Sequence, residues 1–485
     1  MRSDAATGTT SETGLARLER QVADDLGALN LPWRDWVPAE EDILDVAILG
    51  AGQFGIGVAG ALKLRGIRNV RVFDRAGEGQ EGPWVTYARM PTLRSPKTLP
   101  GLSFGIPSLT FRSWYRAAYG DAAWEDLYKV WNGEWQDYIL WIRRVLGLDV
   151  RNGRDAVDLI PAADHVTIRF ADGSAQRARH VVVATGRGAT GGTVPVPGTG
   201  ADLGPDLVAH TSDAIDFAAL RGRRIAVIGA GASAWDNAAT AIEAGAASVT
   251  MFARRSALPQ LNKGRASTGI GFFEGWQSLP DADRWRLGAY LDDMQSPPPH
   301  ETIQRALAHP GISVHFGTRI VSATRQGDRV RIAAEHGPSG DYDFLILGTG
   351  FRVDLAQEPL FRSVAGQIAL WSDRYAPPPD LARPHLGRFP YLGDAFELLP
   401  KSPGAPAGLG RIHLFNMASW LSAGTLAADV PTLEVGPDRL AAALTARLFA
   451  ENFEPIFDRL VAWEEEHELQ DTAFYAPDYV NRTGR

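Results

Sequence analysis

Residues 45–55 read DVAILGAGQFG, and this stretch with its flanks decides the fold. A short apolar run (Val46, Ala47, Ile48, Leu49) leads into three glycines, Gly50, Gly52 and Gly55. A helical pattern through Val58, Leu62 and Leu64 follows. A second apolar run, NVRVFD, then ends in Asp74, 24 residues after Gly50. Strand, tight turn, helix, strand and acid is the order of a dinucleotide-binding βαβ unit. Gly50 permits the sharp turn off the strand, Gly52 lets a pyrophosphate approach the backbone, and Gly55 lets helix and strand pack closely. The helix N-terminus offers free N–H groups and the positive end of its dipole to phosphate. Asp74, with Arg75 beside it, stands where a carboxylate meets a ribose hydroxyl.

The pattern returns. RRIAVIGAGASAWDNAATAIEAGAASVTMFARR is again strand, glycine turn, helix and strand, with Gly229, Gly231, Ser233 and Ala234 in the turn. Gly229 follows Gly50 by 179 residues. This second unit ends in Arg254 and Arg255, with no acid. A carboxylate at that point favours a free ribose hydroxyl, whereas arginine accommodates a 2′-phosphate. The first unit is therefore expected to hold FAD and the second NADPH.

Composition narrows the chemistry. The chain has 485 residues, 45% hydrophobic and 22% charged, enough for two or three domains with full cores. A formal charge of −8 gives no reason to expect a nucleic-acid or anionic-membrane partner. No apolar run approaches the length needed to span a bilayer, and MRSDAATGTTSETG lacks the apolar core of a signal peptide, so a cytoplasmic protein is expected. There is no cysteine, which excludes disulfides, thiolate metal sites and cysteine nucleophiles, and with them the disulfide reductases. No His-Glu-x-x-His or similar cluster appears, and no metal site is expected.

Along the rest of the chain, residues 1–10 are expected to be disordered. Leu15, Leu18, Val22, Leu26 and Leu29 space an amphipathic helix, broken at Pro32. Residues 112–147 carry helical patterns dense in aromatics, most of them core. Residues 150–184 read as a small antiparallel meander returning through HVVVATG, and 186–207 as a glycine- and proline-rich linker. Residues 256–300 read as a long irregular insertion with a short helix. DFLILGTGF, containing Thr349 and Gly350, repeats the VVVATG signal as a return crossover. A strand over 411–416 ends in Asn416, and residues 438–463 make a closing amphipathic helix. The fold class is α/β, with two Rossmann-like dinucleotide-binding domains plus helical and small antiparallel segments. An N-terminal extension (1–39) precedes a first FAD-domain part (40–205). An NADPH domain (206–343) is inserted before the second FAD-domain part (344–485).

With both units in place, the chain resembles the FAD- and NADPH-dependent single-component (class B) monooxygenases: flavin-containing, N-hydroxylating and Baeyer–Villiger types. The resemblance covers roughly residues 40–450 in order of parts. Beyond the glycines it rests on Gly82-Pro83-Trp84, on Thr92-Leu93-Arg94-Ser95-Pro96, which is similar to a Leu-Arg-x-Pro segment beside the flavin, and on His210-Thr211 before the second turn. Bacterial urate-hydroxylase-like and aspartate-N-hydroxylase-like members look nearest. The resemblance implies Trp84, Lys97 and Asn416 at FAD, with Arg94, Ser95 and His210 near the chemistry. His210 is read equally as an interdomain hydrogen-bonding residue, and Arg94 equally as a phosphate-contacting or surface arginine. The Baeyer–Villiger fingerprint is not kept, since Gly204, Asp206 and Ala214 stand where Phe, Gly and Trp are required. Asp394, after Gly393, is read as a loop carboxylate on the substrate side.

The implied cycle passes hydride from NADPH to FAD, forms a peroxyflavin with oxygen, and hydroxylates a small molecule at nitrogen, another heteroatom or an aromatic carbon. The alternatives are a flavin reductase or oxidase serving a separate acceptor, Baeyer–Villiger oxidation of a ketone, and a non-catalytic nucleotide sensor. The substrate and the oligomeric state are left open.

Overall fold

The computed structural model describes residues 13–196, 198–199, 202–427, 429–463 and 468–476; the disorder expected for residues 1–10 falls outside them. The first unit is built on β1 (Ile43–Leu49), β2 (Val70–Phe73), β3 (Val150–Arg151), β4 (Ala156–Pro161), β5 (Val166–Phe170) and β6 (Ala175–Val183). The second contains β7 (Val208–His210), β8 (Arg224–Ile228), β9 (Ser248–Phe252), β10 (Ile312–His315), β11 (Arg319–Gln326), β12 (Arg329–Glu335), β13 (Gly340–Tyr342) and β14 (Phe344–Leu347). β15 (Ile412–Leu414) returns to the first sheet.

That sheet runs β3-β2-β1-β6-β5-β4, with β15 also on β6. Every residue of β1 is buried, as expected of a central parallel strand covered on both faces. β6 has two jobs. Its first half pairs antiparallel with β5, and Val181–Val183 lie parallel between β1 and β15. The second sheet is all parallel, β10-β9-β8-β14-β7, and the antiparallel β11-β12-β13 ribbon feeds β14 through Asp343. The carboxylate of Asp343 accepts the Arg224 backbone N–H at 2.8 Å and ties the two strands together. The two units are thus the same device, a βαβ turn followed by a meander that returns a parallel strand beside the first.

The helix Gln53–Leu64 is buried along nearly its whole length, packed between the first sheet and the helix Val435–Glu451. Phe111, Trp114, Tyr115, Trp124, Trp135, Tyr138 and Trp141 form one buried aromatic cluster, as the sequence indicated. The Tyr138 hydroxyl sits inside it, donating to Leu109 O at 2.8 Å and accepting from Leu102 N at 2.9 Å. The expected closing helix is two helices, Val435–Glu451 and Phe453–Val461, separated at Asn452.

The insertion is more regular than its sequence suggests. It holds Lys263–Ala266, Ile270–Gly275 and Asp281–Met294, followed by His300–Leu307. It crosses from the second unit to the C-terminal part of the chain, where the Trp276 indole donates to Leu421 O at 3.1 Å and Trp285 donates to Leu381 O at 2.9 Å. From its far end Arg305 donates to Arg89 O at 2.9 Å. The strap's tryptophans, spaced too irregularly to read as a periodic face, are what anchor it. Among the described residues no helix is long and apolar enough to cross a membrane.

Candidate active site

At the first turn, Gly50 has φ +105°, and a Cβ there would lie 2.6 Å from Ala184 O, so only glycine fits. Gly52 caps the helix Gln53–Leu64 without a side-chain hydrogen bond, leaving the helix N–H groups free. It faces Gly82, with 3.8 Å between its notional Cβ and Gly82 Cα, so two residues without side chains border one channel. Asp74 is nearly buried; its oxygens accept Ala51 N at 2.7 Å and Ala76 N at 2.8 Å. Those bonds aim the carboxylate across the turn. Arg75 beside it is exposed. Trp84 is buried, and its indole N–H has no partner among the described residues. An unsatisfied buried donor is costly, and a bound dinucleotide, rich in acceptors, is a group that could satisfy it.

The second turn repeats this geometry with one exchange. Gly229 has φ +122°, and Gly231 caps the helix Ala232–Glu243 with no side-chain bond. Gly50 N donates to Phe73 O at 2.8 Å and Gly229 N to Phe252 O at 2.9 Å, so the turns superimpose in hydrogen bonding. In the first unit a Cβ on Gly55 would stand 1.8 Å from Gly50 O. The second unit carries Ala234 at that position, and there a Cβ on the opposing Gly348 would stand 2.5 Å from Ala234 Cβ. Each unit omits one methyl, at a different place. Ser233 is exposed in the first helical turn. Arg254 and Arg255 are exposed at the end of β9, and neither forms an ion pair among the described residues.

The remaining expected residues sort themselves by partner. Arg94 donates to Asp236 on the second nucleotide helix at 2.9 Å, and Thr302 donates to the same buried carboxylate at 3.0 Å. Burial pushes the Asp236 carboxyl up, and Arg94 pulls it back. Arg94 thus joins the two units, a contact that neither of its sequence readings anticipated. Ser95 beside it is half-buried. Lys97 has partners of its own. Its ammonium donates to Trp124 O at 2.6 Å and Glu125 O at 3.2 Å and lies 4.9 Å from the Trp124 ring centroid. Its charge serves the C-terminal end of the helix Asp121–Asp126, where orphan carbonyls attract a cation.

The carboxyl ends of parallel strands are where α/β sheets bind ligands, and here residues that follow β6, β14 and β15 touch one another. Asn416 is fully buried, donating to the Thr185 hydroxyl at 3.1 Å and accepting Ala418 N at 3.0 Å. The Thr349 hydroxyl donates to Val194 O at 2.6 Å, and Gly350 O accepts Val194 N at 3.0 Å, so both hold the 191–196 linker. His210, at the end of β7, accepts Ser212 N at Nδ1 (3.2 Å), which puts the proton on Nε2. That Nε2 is buried, and the ring lies edge-on to Phe351 at 5.3 Å. Burial holds His210 below the ordinary histidine range, against Asp213 and the Gly350 backbone.

Sequence reasoning missed Arg187, two residues past Thr185. Its guanidinium lies 3.6 Å from Met417 Sδ and 5.9 Å from the Phe351 ring centroid, spanning the two linkers. Burial raises the Tyr87 hydroxyl, and Arg187 and then Arg75 pull it down. Only its place directly after the Ala-Thr-Gly turn could have marked it. Asp394 is exposed beside Arg439, in the loop before Glu397; the Glu397 carboxylate accepts Ala395 N at 2.9 Å and Arg447 at 2.6 Å.

Two dinucleotide turns in one chain, with no thiol, define a flavin-type oxidoreductase outside the disulfide reductases. A family profile described as pyridine nucleotide-disulphide oxidoreductase matches residues 47–267. A curated relative, the FAD-dependent urate hydroxylase of Xanthomonas campestris pv. campestris, is 39% identical over 458 residues, covering 93% of this chain and 96% of the relative. The chain belongs to the FAD-dependent flavin monooxygenases and is an oxidoreductase that hydroxylates a small molecule. Solved structures share the fold. The ornithine hydroxylase of Pseudomonas aeruginosa has a TM-score of 0.64 at 20% identity over 84% of this chain and 100% of that one. The L-lysine 6-monooxygenase of Pseudomonas syringae has 0.62 at 16% over 83% and 99%.

Proposed function

We propose that this protein hydroxylates urate or a closely related purine, using NADPH and oxygen. The observation that carries the reading is identity along nearly the full length of both chains with a relative named FAD-dependent urate hydroxylase. The pyrophosphate of FAD lies at Gly50, Gly52 and Gly55, its ribose on Asp74 with Arg75 nearby, and Trp84, Ser95 and Asn416 face the flavin end. NADPH lies at Gly229, Gly231, Ser233 and Ala234, with its 2′-phosphate on Arg254 and Arg255. Thr349 and Gly350 shape the crossover between the sites.

When bound, FAD supplies the two-electron relay and the activation of oxygen. The protein's own residues position and enclose. Arg94 neutralises Asp236, a buried carboxylate on the helix that receives the NADPH phosphates, and so sets the second unit against the first. His210, held neutral by burial, is a hydrogen-bond donor at the end of β7. Two electrons from NADPH and one molecule of oxygen yield the hydroxylated purine and water. A cytoplasmic setting suits the use of NADPH.

The test is stoichiometry on the FAD-loaded protein. Urate is expected to be consumed one for one with NADPH and oxygen, without hydrogen peroxide. NADPH oxidation that ignores urate and releases only peroxide would overturn the urate assignment.

A further inference from the structure

A chain of polar contacts with no part in the site runs through the first unit. His180 on β6 and His413 on β15 are both fully buried. His413 Nδ1 lies 2.7 Å from Ala395 O, and His413 Nε2 lies 3.0 Å from His180 Nδ1. His180 Nε2 lies 3.2 Å from Glu451 Oε2. Glu451 is the last residue of the helix Val435–Glu451, and its Oε1 accepts from Arg411 at 2.9 Å. Two further charged clusters pack around this chain. Arg447 donates to Glu397 at 2.6 Å. Arg179, next to His180, donates to Asn452 Oδ1 at 2.6 Å and stands beside Glu40 and Asp45.

Counting protons along the chain fixes its charge. A carbonyl oxygen only accepts, so His413 carries a proton on Nδ1, and a neutral His413 offers Nε2 as an acceptor. His180 then donates through Nδ1. A neutral imidazole has one N–H, so a neutral His180 would turn the Nε2 lone pair toward an ionised Glu451, which also only accepts. The three contacts need one proton more than two neutral rings hold. Imidazole is more basic than carboxylate by about 2 pKa units, and Arg411 favours the ionised carboxylate further. The helix adds a second reason, because the orphan carbonyls at its C-terminal end disfavour Glu451 alone and favour a cation beside it. Burial holds both rings below the ordinary histidine range, with Glu451 opposing it at His180, and charge on His180 pushes His413 lower still. Burial raises the Glu451 carboxyl, but His180 and Arg411 more than reverse it and hold the group below the ordinary carboxylate range. The directions at His180 and Glu451 conflict, and the hydrogen-bond count decides for the charged pair.

We propose that His180 is an imidazolium at neutral pH, and that its ion pair with Glu451 is a latch that docks the end of the helix Val435–Glu451 on β6 and opens in alkali. The Glu451 side chain is 29% exposed, so water reaches the pair. Unfolded His180 releases its proton near pH 6.5, roughly the ordinary histidine value, and the folded pair keeps it to higher pH. The latch is therefore complete below that value and is lost as pH rises through the folded one. Glu451→Gln tests this without changing shape. Its amide N–H donates to a neutral His180 Nε2 and its carbonyl accepts from Arg411, so the contact needs no extra proton. Amide exchange at 448–452 is followed in the FAD-loaded protein from about pH 6 to about pH 9, across the histidine range, and corrected for the base-catalysed rate of free amides. The unmodified protein is expected to lose protection about tenfold or more, the change that follows loss of one charge-assisted hydrogen bond, and Glu451→Gln is expected to keep it. Asp45 titrates alike in both and cancels from the comparison. Parallel curves for the two proteins overturn the proposal. Nitrogen NMR of histidine-labelled unmodified protein at neutral pH is expected to show both His180 ring nitrogens protonated, with His180→Gln assigning the signals. A neutral His180 ring overturns the proposal even where the variant fails to fold.

Discussion

The two nucleotide turns make the same hydrogen bonds but omit a methyl at different places, and this gives a test of the packing logic. Gly348 follows β14 and faces Ala234 in the helix Ala232–Glu243. A Cβ on Gly348 would lie 2.5 Å from Ala234 Cβ, 3.1 Å from Ala234 Cα and 3.2 Å from Ile228 O. The φ of Gly348 is not positive, so an alanine there meets only a packing conflict. Overpacking of this kind costs about 1–3 kcal/mol, and the helix can relieve it only by moving off the sheet, where β8 leads into the second glycine turn. Gly348→Ala alone is therefore expected to lower stability by about 2 kcal/mol and to weaken NADPH binding while FAD stays bound. Ala234→Gly alone is expected to cost about 1 kcal/mol from helix propensity. Combined, the two restore the arrangement of the first unit, where Gly55 and Ala184 hold these places. The double variant is expected to be no worse than Ala234→Gly alone, a coupling of about 1–3 kcal/mol in a double-mutant cycle. The readouts are denaturant midpoints and NADPH titration. Simple additivity, or an unchanged Gly348→Ala protein, would refute the reasoning.

Gly52→Val fills the space facing Gly82 that is proposed for the pyrophosphate; a folded but colourless protein is expected, and ordinary flavin content would remove FAD from this turn. Arg254→Ala is expected to raise the NADPH requirement about tenfold, roughly 1.5 kcal/mol for an exposed charge-assisted contact, while NADH use stays nearly constant; equal losses with both cofactors contradict the 2′-phosphate role. Burial pushes the Asp45 carboxyl from 3.8 up to about 7, with Arg179 pulling it back. The folded chain then keeps a proton that the unfolded chain releases near pH 4, so this contribution is present at low pH and fades as pH rises to 7, by about 4 kcal/mol at most. Asp45→Asn should gain stability over the parent between pH 5 and pH 8, and a pH-independent difference in urea midpoint would show that Asp45 does not titrate as stated.

The two nucleotide units were legible because each is local. A glycine turn between two apolar strands, with an acid or an arginine at the end of the second, lies within a few dozen residues of chain, and backbone sterics allow few alternatives there. The absence of cysteine, also visible at once, directs the electrons away from a disulfide. Other features came from packing alone. Arg94 and Asp236 are 142 residues apart, and no spacing rule joins them. The bonds from Lys97 to the last carbonyls of the helix Asp121–Asp126 leave no signal in the sequence. The insertion 256–300 reads as irregular because its anchors, Trp276 and Trp285, find their partners more than ninety residues away. The sequence determined the two turns and the cofactors that suit them. Which side chains cross between the units was decided only when distant segments were brought into contact.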